Sequence, residues 1–273
     1  MKDRFDISGK VFVITGGTGL LGYQHAAAIA EKNGIPVLLD IETSRFQNIT
    51  DTLQEEFSSK AFCLECDVTS EGSIEKCYQN IIEKYGRIDG LINNAAINTK
   101  MQVSDKFVQT KLEDLSLENW QNDFNVSVTG AFLCSRIFGG HMANNEGGII
   151  INISSDLGII APDQRIYFSN DKEESAQVVK PVTYSVTKHA LIGLTKYLAT
   201  YWADKGVRSN ALCPGGVFSG QSIEIVQRLT ERIPLGRMAE VDEYRGAIQF
   251  LCSDASRYMN GSSLVLDGGR TVW

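Results

Sequence analysis

The sequence predicts an α/β fold, a doubly wound parallel sheet of about seven strands of the Rossmann type. Near the N-terminus, the run Val11-Phe12-Val13-Ile14-Thr15 is continuously apolar, as in a strand buried on both faces of a sheet. A glycine-rich turn, Gly16 to Gly22, leads from this strand into an alanine-rich helix that ends at about Asn33. Similar strand and helix segments alternate to the C-terminus, and this alternation specifies a parallel sheet covered by helices.

Composition and length predict one domain spanning residues 1–273. The chain is 43% hydrophobic and 22% charged, enough to bury a sizeable core. Its net charge of −7 argues against nucleic acid or an anionic membrane as the main partner. No apolar run approaches the roughly 20 residues of a membrane span, and the first residues do not lead into a signal-peptide core. We therefore expect no membrane association and a cytoplasmic location.

The six cysteines fall mostly inside predicted strands and helices. Cys63 and Cys66 have the spacing of a metal-binding or redox pair, but no second ligand pair follows at zinc-like spacing. The sequence favours reduced core thiols and no metal site.

The turn after the first strand has the features of a phosphate-binding loop. Glycines let a backbone approach a pyrophosphate, which then lies over the helix N-terminus and its unpaired N–H groups. A tight turn alone could also use such glycines, but the strand before and the helix after them favour a dinucleotide site. The residues predicted to contact the cofactor here are Gly16, Thr18, Gly19, Leu20, Leu21 and Gly22.

Asp40 ends the second predicted strand, residues 36–40, and lies 24 residues after Gly16. A carboxylate at this place accepts hydrogen bonds from the adenosine ribose and repels a 2′-phosphate, so it predicts NAD rather than NADP. Arg45 follows closely and could hold a phosphate, but we interpret it as helix surface.

Further candidate residues follow later predicted strands. Asp67 and Val68 follow the third, where Asp67 either contacts the adenine edge or starts the next helix. Two amides follow the fourth strand and could tie neighbouring loops together. Ligands of parallel α/β sheets bind at the strand carboxyl ends, where Ser155 also lies.

Tyr184 and Lys188 are four residues apart at the start of a helical pattern that runs to about Ala203. On a helix, both side chains lie on one face a single turn apart. An ammonium about 4 Å from a phenol favours the phenolate by about 4 kcal/mol at an effective dielectric near 20. This would lower the tyrosine pKa from about 10 towards neutrality and fit it for general acid/base catalysis.

An unusually long connection, at about 160–181, precedes Tyr184. It either covers a substrate or is a surface excursion, and its position before Tyr184 favours the first interpretation. It contains a competing tyrosine, Tyr167, which is 12 residues after Ser155 but has Asp171, not a lysine, four residues on.

Taken together, these motifs resemble the short-chain dehydrogenase/reductase family in its compact single-domain branch. The motifs are Thr15-Gly16, Asp67-Val68, Asn93-Asn94-Ala95-Ala96, Asn125, Ser155, Tyr184 with Lys188, Asn210, Pro214-Gly215 and Asp267-Gly268-Gly269. The resemblance implies hydride transfer between NAD and a secondary alcohol or ketone, with a catalytic tetrad of Asn125, Ser155, Tyr184 and Lys188. It also implies cofactor contacts from Asp67, Val68, Asn94, Ala95, Tyr184, Lys188, Pro214, Val217 and Ser219.

Three features depart from the family pattern. The glycines have the spacing of the longer, sugar-nucleotide-modifying branch, with Leu20 in place of glycine. The usual Asn-Asn-Ala-Gly ends in Ala96, and Ser155 and Tyr184 are 29 residues apart, about twice the usual interval. The long insertion and the sequence Pro214 to Phe218 most resemble oxidoreductases of bacterial flagellin and surface-sugar modification, which suggests a sugar-derived substrate.

Two other functions stay open: a non-catalytic NAD-binding regulator, and an epimerase or dehydratase with tightly bound NAD. The joint presence of Ser155, Tyr184 and Lys188 disfavours the first, and the short C-terminal part disfavours the second. Helices around Asn125 and Tyr184 resemble those that pair between subunits in the family, and the chain ends on apolar Val272-Trp273. We therefore expect a homo-oligomer, a tetramer rather than a dimer.

Overall fold

The computed structural model describes residues 3–97, 110–168, 173 and 177–273. Seven parallel strands form one sheet in the order β3-β2-β1-β4-β5-β6-β7, which confirms the predicted doubly wound α/β fold. The strands are β1 Val11–Thr15, β2 Ile35–Asp40, β3 Phe62–Glu65, β4 Gly90–Asn93, β5 Gly148–Ile153, β6 Val207–Pro214 and β7 Ser263–Leu266.

Helices cover both faces of the sheet. They are α1 Leu20–Ala30, α2 Phe46–Phe57, α3 Glu71–Tyr85, α4 Leu117–Phe124, α5 Gly130–Cys134, α6 Gly140–Ala143, α7 Val182–Tyr201, α8 Ile223–Thr230 and α9 Arg245–Cys252. Among the described residues, none of these helices is long and apolar enough to cross a membrane.

Alternate residues of each strand supply two separate hydrophobic layers. Phe12 and Ile14 of β1 point into the layer that contains Ile29 of α1 and Leu251 of α9. Val13 of the same strand points into the opposite layer, together with residues of α3 and α7. Because side chains alternate across a strand, a continuous apolar run can fill both layers.

The segment from α4 to α6 is one helical path with two π-helical turns, Asn125–Thr129 and Ser135–Gly139. Ser116 caps its start by accepting a hydrogen bond from the Asn119 N–H. Such π turns are rare and often occur at functional sites, because they change the direction in which side chains project.

The described part of the predicted insertion packs against the C-terminal region. Ile166, in a short 3-10 turn, is buried beside Leu229 and Ile233. Asp163 caps this turn and pairs with Arg232, with 2.7 Å between Oδ2 and Nε. The segment is therefore anchored to the region around α8 through both apolar and ionic contacts.

Candidate active site

The predicted site residues converge at the carboxyl edge of the sheet. Strand β1 pairs with β2 on one side and with β4 on the other, so the direction of the chain connections reverses beside β1. Ligands of open α/β sheets bind in the crevice that this reversal creates. The glycine loop follows β1, Asp40 ends β2, and Ser155 follows β5 at the same edge.

The glycine loop fits a pyrophosphate. Gly16 has φ +62°, and a Cβ there would lie 2.9 Å from the Ala95 Cα. At Gly19, the residue before α1, a Cβ would meet only the Gly16 oxygen within 4 Å, so this position borders open space. No side chain caps α1, whose first N–H groups have no helical partner and remain available to an anion. Gly22 is instead required by close packing within the loop, because a Cβ there would collide with the backbone oxygen of Gly16.

Thr18, Leu20 and Leu21 complete the loop. Thr18 is buried, and its side chain faces Asp40. Leu20 and Leu21 are the first residues of α1. Leu20 replaces the usual glycine without disturbing the helix start, because its side chain is 49% exposed.

Asn94 ties the β1 and β4 loops together, as predicted. Its Nδ2 donates to the carbonyl oxygens of Thr15 and Gly16 at 3.1 and 3.0 Å. The N–H groups of Asn94 and Ala95 both donate to Thr15 Oγ1. Asn93 is instead buried in the core, where it donates to Asn152 Oδ1 at 2.8 Å. The floor beneath the glycine loop is thus fixed by side-chain hydrogen bonds.

Asp40 lies against the glycine loop. Its Oδ2 accepts hydrogen bonds from Thr18 N and Thr18 Oγ1 at 2.9 and 2.8 Å. The carboxylate thus holds the loop while its negative charge stays at the end of β2. Arg45 also reaches the loop and donates to the Thr18 oxygen at 2.6 Å. Arg45 is exposed at the start of α2, which agrees with its interpretation as helix surface, and it reaches the glycine loop through this one contact.

Asp67 and Val68 lie in the turn between β3 and α3. Asp67 accepts hydrogen bonds from Thr69 N and Oγ1 at 2.9 and 2.7 Å. The cap of α3 is Ser70, so Asp67 shapes the turn without capping the helix. Val68 is buried against Gly130, where a Cβ would come within 2.9 Å of a Val68 methyl.

Ser155, Tyr184 and Lys188 come together at the end of β5. Tyr184 lies in the first turn of α7, whose N-cap is Pro181, and Lys188 lies one turn further. Lys188 is buried, with its Nζ 5.7 Å from the centre of the Tyr184 ring, and donates to the Ile153 oxygen at 2.8 Å. Burial raises the pKa of Tyr184, and a hydrogen bond with the neighbouring Ser155 hydroxyl acts in the opposite direction. Helix α7 thus places a phenol and an ammonium beside the serine hydroxyl.

Burial controls the pKa values of this cluster. Loss of solvent raises the pKa of Tyr184 above its ordinary value, and the negative charge of Asp156 raises it further. Burial also lowers the pKa of Lys188 to about 8, and the nearby Lys180 ammonium contributes. The prediction that Lys188 brings the tyrosine towards neutrality is therefore wrong, because desolvation dominates and Lys188 is directed at the Ile153 carbonyl.

A buried ion pair between Asp156 and Arg270 lies beside Ser155, and the sequence did not predict it. Ser155 Oγ donates to Asp156 Oδ1 at 2.7 Å, and Arg270 Nη1 donates to Asp156 Oδ2 at 2.6 Å. The Asp156 and Arg270 side chains are only 4% and 7% exposed. The sequence feature that could have indicated this pair is Asp156, an acid directly after Ser155. Its partner Arg270 lies 114 residues away in sequence, so no local pattern connects the two.

Tyr167, the competing tyrosine, lies beside the cluster. Burial raises its pKa to about 12, and Arg270, Tyr184 and Asp156 all influence it. Asp171, on which the sequence argument against Tyr167 relied, lies outside the described residues. What distinguishes Tyr184 is its position beside Ser155 and one turn before Lys188.

Asn125 is not brought into this cluster. It begins the first π turn, and its side chain is exposed and makes no hydrogen bond within the described chain. Ser127, two residues further in the same turn, is buried.

Pro214, Val217 and Ser219 lie in and after β6. Pro214 ends the strand, and Val217 forms an isolated bridge with Ala239. Ser219 is exposed, and its N–H donates to Gln221 Oε1 at 2.8 Å. These contacts hold the segment beside the site edge and leave its roles in cofactor binding as predictions.

Comparisons with known proteins agree with this geometry. Residues 19–271 match the family model described as Enoyl-(Acyl carrier protein) reductase. An NAD-dependent glycerol dehydrogenase of Listeria innocua is 30% identical, over 98% of this chain and 96% of that protein. A short-chain type dehydrogenase/reductase from Mycobacterium marinum is 31% identical, with a TM-score of 0.84 and 99% of each chain covered. A gluconate 5-dehydrogenase from Burkholderia cenocepacia, solved with NADP and tartrate, is 28% identical, with a TM-score of 0.85, 99% of this chain covered and 98% of that chain.

The fold, the glycine loop and the serine–tyrosine–lysine cluster define a class of nicotinamide-dependent oxidoreductases that act on CH–OH groups. The chain belongs to the short-chain dehydrogenase/reductase family, which confirms the resemblance drawn from its motifs. Among these relatives, one is named for NAD and another was solved with NADP. The substrates in their names are a polyol and a sugar acid.

Proposed function

We propose that this protein is an NAD-dependent dehydrogenase that interconverts a secondary alcohol and a ketone on a sugar-derived substrate. The observation that carries the proposal is the placement of Ser155, Tyr184 and Lys188 at the sheet edge that also bears the glycine loop. The glycerol and gluconate dehydrogenases among the relatives support a polyhydroxylated substrate. The flagellin-related resemblance stays a prediction.

Each residue of the cluster has one chemical task in this proposal. A bound oxidised nicotinamide would accept the hydride from the carbinol carbon. Ser155 orients the substrate oxygen, and Tyr184 takes the hydroxyl proton as the carbonyl forms. Lys188 holds the nicotinamide ribose, a role that comes from the family resemblance, and its ammonium lies 5.7 Å from the centre of the Tyr184 ring. Asn125 stays the predicted fourth member of the tetrad.

Burial raises the pKa of Tyr184, and this raised pKa determines whether ketone reduction or alcohol oxidation is faster at a given pH. A protonated phenol supplies the proton that ketone reduction consumes, whereas alcohol oxidation needs the phenolate. Reduction is therefore favoured at neutral pH, and oxidation accelerates as the pH rises.

The test of the proposed dehydrogenase function is to assay a panel of polyols, sugars and sugar acids with NAD in both directions. Absence of NADH formation from every alcohol, with bound NAD retained after substrate conversion, would favour an epimerase or dehydratase.

The cofactor site fits NAD through the negative charge at the end of β2. Asp40 is partly exposed at the glycine loop, where it would accept hydrogen bonds from the ribose hydroxyls. The glycine loop would hold the pyrophosphate, with Asp67, Val68, Asn94 and Ala95 beside the adenine and the central part of the cofactor. Pro214, Val217 and Ser219 would hold the carboxamide end.

Asp40→Asn should lower the ratio of kcat/KM for NAD to kcat/KM for NADP by roughly 10- to 100-fold. The change removes the repulsion of a 2′-phosphate and weakens charge-assisted hydrogen bonds, each worth about 1.5–3 kcal/mol. Asparagine can still accept the hydrogen bonds from Thr18, so the loop should keep its shape. Glu42→Gln, an exposed change two residues away, is the matched control and should leave the ratio unaltered. A wild type that already prefers NADP would contradict this assignment.

Exposed aromatic and apolar side chains support self-association. Tyr197 and Tyr201 of α7 stack on each other, yet they are 62% and 59% exposed. Phe132 of α5 and the terminal Trp273 are 47% and 76% exposed. Apolar surface of this kind commonly marks an interface between subunits. We expect a homotetramer in light scattering at micromolar concentration, with Tyr197→Glu/Tyr201→Glu shifting the mass downwards. A monomeric wild type would count against this prediction.

A further inference from the structure

Lys180 is held rigidly at the mouth of the catalytic cluster. Its backbone N–H donates to Gln164 Oε1 at 2.8 Å, and its carbonyl oxygen accepts from Gln164 Nε2 at 3.2 Å. It precedes Pro181, the N-cap of α7. Its Nζ lies 3.7 Å from the centre of the Tyr184 ring, closer than that of Lys188. The insertion thus places an ammonium, carried by a backbone that is held in position, next to the proposed proton carrier.

The charge of Lys180 is not balanced within the described part of the chain. Burial lowers the pKa of Lys180, and Arg270 contributes in the same direction, whereas Asp156 is the carboxylate there that acts to raise it. Both oxygens of Asp156 are already engaged, one by Arg270 and the other by Ser155 and Leu157. Lys188 adds a second positive charge nearby. The cluster of Asp156, Arg270, Lys180 and Lys188 therefore carries a formal excess of positive charge.

The ammonium of Lys180 also has unused hydrogen-bonding capacity. It makes no hydrogen bond or ion pair with the described residues, and its Nζ is not among the fully enclosed polar atoms without a partner. A partly buried cation of this kind is stabilised by an anion that brings its own charge. Because this ammonium lies beside Tyr184, an anion bound to it would lie close to the substrate hydroxyl that we assign to Ser155 and Tyr184.

We propose that Lys180 binds the carboxylate of the substrate, and that the substrate class is a hydroxy acid of the aldonate type rather than a neutral polyol. The inference rests on the proposed dehydrogenase function and narrows it to one substrate chemistry. The short distance between Nζ and the Tyr184 ring places the carboxylate only a few carbon atoms from the carbon that is oxidised. Lys180 is then a specificity-determining residue, distinct in task from Lys188.

Matched pairs of compounds test this assignment. Gluconate and sorbitol, and likewise threonate and threitol, differ only in carrying a carboxylate or a hydroxymethyl group at one end. For wild type, kcat/KM and binding to the enzyme–NADH complex should favour the acid of each pair. Lys180→Met should weaken binding of the acids roughly 10- to 100-fold, as expected for loss of a charge-assisted hydrogen bond, so the preference for each acid over its matched alditol should fall by that factor. Lys180→Arg should restore most of the preference.

Two controls distinguish loss of carboxylate recognition from a general loss of binding or activity. Lys196→Met removes an exposed lysine from α7, the helix that begins just after Lys180, and should alter neither class of compound. NADH affinity should be unchanged in Lys180→Met, because Lys180 is assigned to the substrate. Equal binding of acids and alditols by wild type, or tighter binding of a phosphate ester than of the acid, would overturn the inference. Calorimetry on the enzyme–NADH complex shows whether the acids bind more tightly than the alditols, even if no tested compound is oxidised. A lack of oxidation would contradict only the dehydrogenase proposal.

The pH dependence provides an independent readout. Burial lowers the pKa of Lys180 to about 8, while Asp156 acts to raise it and Arg270 to lower it, with Tyr184 and Lys188 alongside. The substrate carboxylate stays ionised from neutral to alkaline pH. KM for the acids should therefore rise above about pH 8 relative to KM for the matched alditols. Lys180→Arg should remove this relative rise, since arginine keeps its proton. An unchanged ratio of the two KM values across this range would also contradict the assignment.

Discussion

Replacing Tyr184 with phenylalanine is expected to lower the rate of alcohol oxidation and ketone reduction by a factor of about 10² to 10⁴. The change removes only the phenolic oxygen, to which we assign proton transfer, a step that contributes this much in enzymes generally. The ring remains to pack against Lys180, so the fold and the affinity for NADH should be almost unaffected. Steady-state kinetics and NADH fluorescence titration measure the two quantities separately.

Tyr167→Phe is the matched control for this substitution. Tyr167 lies beside the same cluster, and loss of solvent around its hydroxyl raises its pKa to about 12. It lacks the position one turn before Lys188, so most of the activity should remain. If Tyr167→Phe were inactive while Tyr184→Phe still turned over, the assignment of the catalytic tyrosine would be reversed.

Replacing Arg270 with methionine is expected to destabilise the protein by about 3–5 kcal/mol. The substitution leaves Asp156 as an unpaired carboxylate in a site from which solvent is almost excluded, and this cost dominates when one member of a buried pair is removed. Unfolding transitions of chains near this size shift by about 2–4 °C per kcal/mol. Thermal melts should therefore move down by roughly 6–20 °C, and kcat should fall because Asp156 also holds the Ser155 hydroxyl.

Two further variants isolate the buried pair. Asp156→Asn combined with Arg270→Met removes both charges and should recover part of the lost stability, so the double-mutant cycle should be strongly non-additive. Arg237→Met breaks an exposed pair with Glu243, whose side chains are 52% and 39% exposed, and should cost no more than about 1 kcal/mol. Additive effects within the cycle, or a melting shift no larger than that of Arg237→Met, would show that the pair contributes little.

The sequence determined the fold class, and local patterns predicted which residues would meet at one edge of the sheet. Continuous apolar runs, such as residues 11–15, predict buried strands because both faces of a parallel sheet are covered. Asp40 and Ser155 could be assigned to one edge of the sheet, because all strands of such a sheet end on the same side. The four-residue spacing of Tyr184 and Lys188 on a helix likewise fixed their common face.

Tertiary structure decided what depends on distance and burial between segments far apart in sequence. The pairing of Asp156 with Arg270 spans 114 positions, and no local pattern specifies it. Nor does a local pattern specify the hydrogen bonds of Gln164 with the Lys180 backbone or the contact of Arg45 with the glycine loop. The pKa of Tyr184 was mispredicted because the sequence shows which charge is near but not how much solvent is lost. Charge spacing follows from the local geometry of a helix, whereas desolvation depends on everything that packs around it.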